Sequence, residues 1–382
     1  RWLLIVAQVF TYIVIALVTM MVMYMITISL CMIVKNEEEV LARCLESAKD
    51  IADEIIVVDT GSNDKTKEIA YRYTQLVFDF EWINDFSAAR NFAYSKATMD
   101  YQMWLDADDV IPTEEAEKIK ELKNILDLNV DIVTMKYHTN FDSNGNPILT
   151  STRERLTKRS KNYHWQDPVH ECIPLLGNVL FSDIAIWHQK PKSAEIMTTR
   201  NLDIYEELER KGKRFTPRQL YYFARELKDH GCWAKSAYYF ESFLDTQKGW
   251  FEDNIASCFN LSICYSILGE EKKILPILLR SFQFASPRAE ICCQIGYYYK
   301  NLKNYQTALD WFQIAAKLDP PQSIGFILHE YWGFIPNIEC CVCCCYLNQF
   351  DKANEFNRIA GQFQPDSAAV LNNEKYLASI LS

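Results

Sequence analysis

Two apolar runs, Ile28–Val34 and Glu54–Asp59, each end in polar residues and pass into a helical pattern, and this alternation limits the fold more than any other feature of the chain. A continuous apolar run bounded by Lys35, Asn36 and Glu37 reads as a strand buried on both faces. Val40, Leu41, Cys44, Leu45 and Ala48 then recur at helical spacing. The second run ends in a carboxylate, Asp59, and meets a turn of small polar residues from Thr60 to Asp64 before a helix from about Lys65. Strand, helix, strand, helix at this pace predicts a parallel sheet with crossover helices. Ligands of such sheets bind beyond the carboxyl ends of the strands. Lys35, Asp59 and the acids of Trp104–Asp109 should emerge there. If Trp104–Asp109 is extended, Asp106 and Asp108 share one face and Asp109 takes the other; the plainer reading is an acidic turn after a strand. Neighbouring carboxylates repel unless a cation or hydrogen-bond donors stand between them. A hard divalent metal carrying a diphosphate satisfies that DxD arrangement. The chain has no glycine-rich GxGxxG or GKS loop, so a metal held by carboxylates is the remaining way to manage a diphosphate.

A chain of 382 residues can form two domains with separate cores. Its net charge of −10 argues against nucleic acid as a partner, because a phosphate backbone is bound by clustered Lys and Arg. The 13 cysteines include the crowded run Cys340, Cys341, Cys343, Cys344 and Cys345, too close for ordinary bridging and without the paired spacing of a zinc site. They read as reduced, small packing residues of a cytoplasmic protein. Trp2 to Val34 carries no charge, and a helix needs only about 20 apolar residues to cross a bilayer. The end of that run doubles as the first strand, so residues 1–25 read as a hydrophobic helical extension foreign to the domain, with membrane association as the alternative.

Further along, Pro112 to Leu128 reads as an amphipathic helix and Asp131 to His138 as a strand, with a turn at Asn144–Pro147. A basic block follows: Arg153, Arg155, Lys158, Arg159 and Lys161. Four of the six histidines, His138, His164, His170 and His188, fall in this part of the chain, the place to look for proton transfer or metal ligation.

The ordered blocks Ile28–Glu38, Glu54–Thr66, Asn84–Asn91 and Trp104–Asp109 resemble those of family 2 glycosyltransferases with the GT-A fold, a Rossmann-like, mostly parallel sheet. Within that family the chain is similar to the bacterial sublancin S-glycosyltransferase group, in which helical repeats follow the catalytic domain. The resemblance implies a nucleotide-sugar donor, UDP-linked, and a divalent metal, Mn or Mg. It implies that Asp59 contacts the base, with Ile33, Lys35 and Glu37 lining the nucleoside pocket. Asp106 would contact the ribose and Asp108 the metal. Arg90 would approach the phosphates or support the strand, with a surface pairing to Asp85 as the other reading. Val169, His170 and Glu171 resemble the family's VHE motif, which nominates Glu171 as the base that activates the acceptor, with His170 beside it and Asp167 as alternate. His188 matches the place where relatives offer an imidazole to the metal or diphosphate. Where relatives carry glycine before VHE, this chain has Gln166, Asp167 and Pro168.

From about Ser193 the pattern is helical throughout. With Ala289 as first position of a 34-residue tetratricopeptide (TPR) unit, Ile295, Gly296, Tyr299, Ala308, Phe312, Ala315 and Pro320 fall on signature positions. Weaker copies carry Ala224 and Phe240, then Tyr265 and Leu278, then Ala353, Ala360 and Pro365. The expected layout is residues 1–25 as the extension, 26–192 as the GT-A domain and 193–382 as an all-α TPR-like domain. The repeats would dock a peptide, protein or glycan acceptor, or join two copies as a homodimer. The expected activity is inverting transfer of a hexosyl group to an acceptor the sequence does not name. Two alternatives stand beside it: a sugar nucleotidyltransferase, whose glycine-rich phosphate loop is missing here, and a non-catalytic repeat scaffold with a degenerate nucleotide-sugar domain.

Overall fold

The computed structural model describes residues 25–142, 145–190 and 198–381, so the reading of a helix over 1–25 and the domain boundary at 192 lie outside the described residues. Among the described residues two compact units are present, one of 25–137 with 153–190 and the other of 138–142, 145–152 and 198–381.

In the first unit, β1 (Ile28–Val34) is followed by α1 (Leu41–Ala48), which buries Leu41, Cys44, Leu45 and Ala48. Then come β2 (Glu54–Asp59), α2 (Thr66–Ala70), β3 (Val77–Asp79), α3 (Phe86–Tyr94) and β4 (Tyr101–Trp104). β1 lies between β2 and β4, and β3 extends β2, all in parallel. The helix spacing of the sequence produces these crossovers because each short helix has one apolar stripe to lay on the sheet. β5 (Asp109–Val110) and α4 (Thr113–Ile125) lead to β6 (Ile132–Phe141), β7 (Pro147–Lys158) and β8 (Val179–His188), with residues 138–141 of β6 and 147–152 of β7 belonging to the second unit. The strand order is β3-β2-β1-β4-β7-β6-β8-β5, with β7 antiparallel to β4 and β5 antiparallel to β8. The core under the sheet gathers Ile28, Leu30, Met32, Val57, Tyr101, Met103, Val133 and Ile186, and the opposite face holds Cys31, Ile56, Val58, Trp104 and Trp165. Sheet strands covered on both faces are what uninterrupted apolar runs require.

The second unit is built from helix pairs that resemble TPR repeats: α5 (Arg200–Arg210), α6 (Pro217–Asp229), α7 (Trp233–Asp245), α8 (Phe251–Ile267), α9 (Glu271–Arg280), α10 (Ala289–Asn301), α11 (Tyr305–Ala316), α12 (Phe334–Tyr346), α13 (Phe350–Phe363) and α14 (Ala368–Leu381). The α10–α11 pair carries the signature, and its Ala289, Ile295, Gly296, Ala308, Phe312 and Ala315 are buried. Gly296 lies under the Phe312 ring, where an added Cβ would stand 2.7 Å from the ring carbons. The cysteines of α12 pack as small apolar residues with Cys292 and Cys293, and all thirteen cysteines are free thiols. The expectation of helices alone misses a two-residue strand, β9 (Ile327–Leu328), which pairs with Leu149 and Thr150 of β7. Among the described residues no helix is long and apolar enough to cross a membrane.

The Gly296 contact generates a direct expectation. Gly296→Ala overpacks the α10–α11 interface and should destabilise the protein by about 1–3 kcal/mol, read as a lower urea midpoint with unchanged helix content.

Candidate functional site

The register of the parallel strands sets the site. Val34 lies opposite Asp59 and Cys31 opposite Trp104, so Lys35, Asp59 and the residues after Trp104 leave the sheet at one edge. Asp59 is 2% exposed. Its Oδ1 accepts the N–H groups of Gly61 and Ser62, both at 2.9 Å, and closes the turn that the φ of +102° at Gly61 makes possible. Its Oδ2 is buried and has no hydrogen-bond partner among the described residues. The loops after β1 and β2 are bonded to each other: the Asn36 N–H donates to Ser62 Oγ (2.9 Å), the Asn63 N–H to Asn36 Oδ1 (2.9 Å) and the Glu37 N–H to Thr66 Oγ1 (2.7 Å). Ile33 is half-buried and Lys35 is exposed beside them.

The DxD segment departs from the extended reading. β4 ends at Trp104, and residues 106–109 form a turn in which the Asp109 N–H donates to the Asp106 carbonyl and the Asp106 N–H to Asp109 Oδ2, both at 3.0 Å. A short carboxylate that can bond its own neighbouring backbone favours this reversal over a continued strand. Asp109 therefore does not face away from Asp106. It is fully buried, its Oδ2 accepts from Arg155 Nη1 at 3.0 Å, and its Oδ1 accepts from the Tyr137 hydroxyl at 2.8 Å. The β5–β8 register sets Asp109 opposite His188, whose Nδ1 stands 3.2 Å from Asp109 Oδ1, 3.2 Å from Asp108 Oδ1 and 2.7 Å from the Tyr137 hydroxyl. Asp106, Asp109 and His188 each offer one ligand atom within 4.8 Å of the others. Both oxygens of Asp109 are engaged, whereas Asp108 is 19% exposed and Asp106 is 34% exposed.

The charges here are strongly biased. Burial works against the imidazolium of His188, but hydrogen bonds to Asp108 and Asp109 outweigh it and push the group up to about 10. Burial would likewise favour a neutral Asp106, yet Arg90 and then Arg155 hold its carboxyl well below the usual range. Burial, reinforced by Asp109 and Asp106, drives the Tyr137 phenol far up, so it remains a hydrogen-bond donor at any working pH.

Arg90 links this cluster to the VHE stretch. It is 6% exposed, donating from Nε to Glu171 Oε1 at 2.5 Å and from Nη2 to Asp106 Oδ1 at 2.7 Å. Its guanidinium lies 4.7 Å from the Trp104 ring centroid and 4.9 Å from that of Trp165. The surface pairing with Asp85 does not form; Asp85 instead caps α3 by accepting the Ala88 N–H at 2.9 Å. The Phe86 N–H reaches the Pro168 carbonyl at 2.9 Å, and Gln166 and Cys172 exchange two backbone bonds of 2.9 and 3.1 Å. Between them Asp167 (φ +72°) and His170 (φ +54°) take the left-handed conformation. Asp tolerates this region better than most residues, so Asp167 can hold the turn before Pro168.

Residue patterns alone passed over Tyr137, Arg155, Trp104 and Trp165. Arg153 and Arg155 did leave a signal, since residues two apart on a strand share a face, and both lie over the Trp104 ring, at 4.8 and 3.7 Å from its centroid. The neighbouring Glu154 points elsewhere, to Arg153 Nη2 at 3.2 Å and the Ile173 N–H at 3.3 Å.

Two outcomes follow from these pairs. Arg90→Gln strands two carboxylates; with Asp106 34% exposed, the loss should be about 2 kcal/mol, below that of a fully buried pair, measured by urea denaturation. Burial favours the neutral acid at Glu154, but Arg153 and the backbone donors outweigh it and lower its pKa. A carboxyl depressed in the folded state stabilises fully above its unfolded value, near 4.3, and stops doing so as pH falls through the folded one. Glu154→Gln should therefore cost about 1–2 kcal/mol at pH 7, with the gap to wild type closing below pH 4.

Comparison with known proteins agrees with this geometry. The family model Glycosyl transferase family 2 matches residues 29–180. A TPR repeat-containing protein of Synechococcus elongatus is 38% identical over 149 residues, covering 39% of this chain and 36% of that protein. The SPbeta prophage-derived glycosyltransferase SunS of Bacillus subtilis is 30% identical over 212 residues, 53% of this chain and 49% of its own length. An uncharacterized glycosyltransferase of Rickettsia typhi is 37% identical over 93 residues, 24% of this chain and 32% of that one. The chain thus spans less than half the length of each of these curated relatives. On the sheet register, the ordered motifs and the family match together, residues 29–180 are a family 2 glycosyltransferase domain.

Proposed function

We propose that the protein transfers a hexosyl group from a UDP-linked sugar to a peptide, protein or glycan acceptor, with inversion and with a divalent metal on the diphosphate. The observation that carries this reading is the buried, unpartnered Oδ2 of Asp59 at the sheet edge shared with the acidic cluster. A buried acceptor without a donor is costly, and the N–H of a nucleobase would satisfy it. Ile33, Lys35 and Glu37 flank that edge, and Asp106, beyond β4, suits the ribose.

The donor set fits a hard divalent cation: carboxylate oxygens with one imidazole accept Mn or Mg. Asp108 and His188 would hold it, because Asp109 has both oxygens committed to Arg155, Tyr137, His188 and the Asp106 N–H, and Asp106 gives one oxygen to Arg90. When bound, the ion would neutralise charge developing on the departing diphosphate.

The chain's own residues handle the acceptor. Its nucleophilic atom forms the new bond to the anomeric carbon as the bond from that carbon to the diphosphate oxygen breaks, and its proton passes to Glu171. Arg90 orients Glu171, donating from Nε to its Oε1 and from Nη2 to Asp106 Oδ1, so the base is not free to drift. His170 precedes it in the loop, and Asp167 is the alternate base.

The test is a thermal-shift screen of UDP-glucose, UDP-galactose and UDP-N-acetylglucosamine with Mn. A ligand that binds the native state raises its apparent stability by mass action. At least one should raise Tm by several degrees with Mn, and Asp108→Ala should lose most of the shift. No shift with any nucleotide in folded protein overturns the donor reading; a shift untouched by Asp108→Ala overturns the metal assignment.

A further inference from the structure

The sheet edge opposite the acidic cluster carries features that sugar transfer does not use. Ile28 of β1 pairs with Tyr101 of β4, and Tyr101 with Lys158 of β7, so the starts of β1 and β4 and the end of β7 share that far edge. Four aliphatic side chains stand out there, each from a different segment: Met25 before β1, Ile125 at the end of α4, Leu128 after it and Leu176 before β8. Ile125 is 74% exposed and Leu176 64%, while Met25 and Leu128 are half-exposed. Hydrogen bonds tie these segments to one another. The Ile26 N–H donates to the Lys123 carbonyl at 3.0 Å, the Lys158 ammonium to the Leu128 carbonyl, and the Asp131 N–H to the Asn178 carbonyl at 2.8 Å. The Tyr163 hydroxyl donates to the Leu176 carbonyl at 2.5 Å.

The acids along this edge are engaged by the protein itself. Asp100 accepts the Thr27 N–H at 2.9 Å, Asp53 the Ile28 N–H at 2.8 Å and Asp131 the Asn178 N–H at 3.0 Å, and Asp127 accepts the Asn129 N–H at 2.8 Å. Part of the basic block of the sequence comes to rest beside them. Lys158 and Arg159 donate to the carbonyls of Leu128 and Met99 and form no ion pair among the described residues.

The chain supplies the argument for what covers this face. Residues 2–24 carry no charge, a stretch longer than the roughly 20 apolar residues that a bilayer core demands. Trp2 and Tyr24, at its two ends, are residue types that favour the level of lipid headgroups. Ile26 is fully buried and Thr27 is bonded to Asp100, so only Met25 separates that stretch from the sheet. If residues 2–24 enter lipid, the far edge is brought against the lipid surface, and grouped exposed aliphatic side chains are what such a surface takes up.

We propose that this edge is a membrane-docking face. Residues 2–24 enter a lipid bilayer, Met25, Ile125, Leu128 and Leu176 rest at the boundary of headgroups and acyl chains, and Lys158 and Arg159 meet the lipid phosphates. β1 is seven residues long, roughly 23 Å at the usual rise of a strand, so Asp59 and the acidic cluster open to water on the side away from the lipid.

The probe is a vesicle of phosphatidylcholine and phosphatidylglycerol that includes a phospholipid with a photoactivatable diazirine in its acyl chain, with full-length protein reconstituted into it. The protein should float with the vesicles after an alkaline carbonate wash. Irradiation should place adducts in residues 2–24 and in the peptides that hold Ile125, Leu128 and Leu176, with at least tenfold fewer over residues 59–66 and 104–110. Ile125→Ser/Leu128→Ser/Leu176→Ser, all at exposed positions, should still float and keep the adducts in 2–24 but lose at least fivefold of those at the edge. The proposal is overturned if the wild-type protein stays in the aqueous fraction, the outcome when residues 2–24 or a second copy cover the patch instead. It is equally overturned if adducts are confined to residues 2–24, if they favour the Asp59 edge, or if the triple variant is labelled as the wild type is. Should the triple variant not fold, Ile125→Ser alone is judged by the same outcomes.

Discussion

The buried ion pair between Asp109 and Arg155 is the interaction on which the catalytic-side geometry depends. Neither side chain has any exposed surface, so each charge would be prohibitively costly without the other. Arg155 also donates to the Trp104 carbonyl at 3.0 Å and lies between the Trp104 and Tyr137 rings. One guanidinium thus fixes the last residue of β4, the turn after it and the strand that brings Tyr137. Because Asp109 is held inside, Asp106 and Asp108 are left at the rim where a ligand can reach them. The Asp106–Asp108 triplet is held in place by a third acid that is sealed inside the protein.

Arg90 repeats the device one layer nearer the surface. It lies against two indoles, those of Trp104 and Trp165, where Arg155 meets an indole and a phenol, and it joins carboxylates from two segments. Stacking covers both faces of the guanidinium, which leaves its edges for hydrogen bonds and fixes their directions. Lysine offers no such planar fork. The two arginines therefore set the spacing between the acids after β4 and Glu171 through aromatic packing, and Trp104 serves both.

How much of this the residues declared beforehand depends on range. The strands, the crossovers and the shared edge of Lys35, Asp59 and Asp106 were legible, because apolar runs and helical stripes are local signals. The α10–α11 pair was legible for the same reason, since Gly296 and Phe312 recur at fixed spacing. Residues 106–109 were misread as extended because period-two reasoning cannot see an aspartate bonding its neighbour's backbone. Arg155 lay within a basic block whose spelling does not say which residue is buried, and only a pairing between β4 and β7 turns it inward. β9 left no trace for a similar reason, as two residues of strand are defined by what they pair with.

Asp108 and Asp109 illustrate the difference between these kinds of information. They are adjacent and chemically identical, yet one is sealed and the other is open, and the distinction comes from a register: Asp109 stands opposite His188 on β8. Shifting that pairing by one residue would exchange their faces, burying Asp108 against Arg155 and exposing Asp109. The motif's spelling alone does not say which acid is the structural one. That assignment belongs to the sheet, and through His188, which touches both, the structural acid and the open one are held in a single hydrogen-bonded cluster. A substitution at either position must then be read at both, because removing the inner charge also releases the imidazole that orients the outer one.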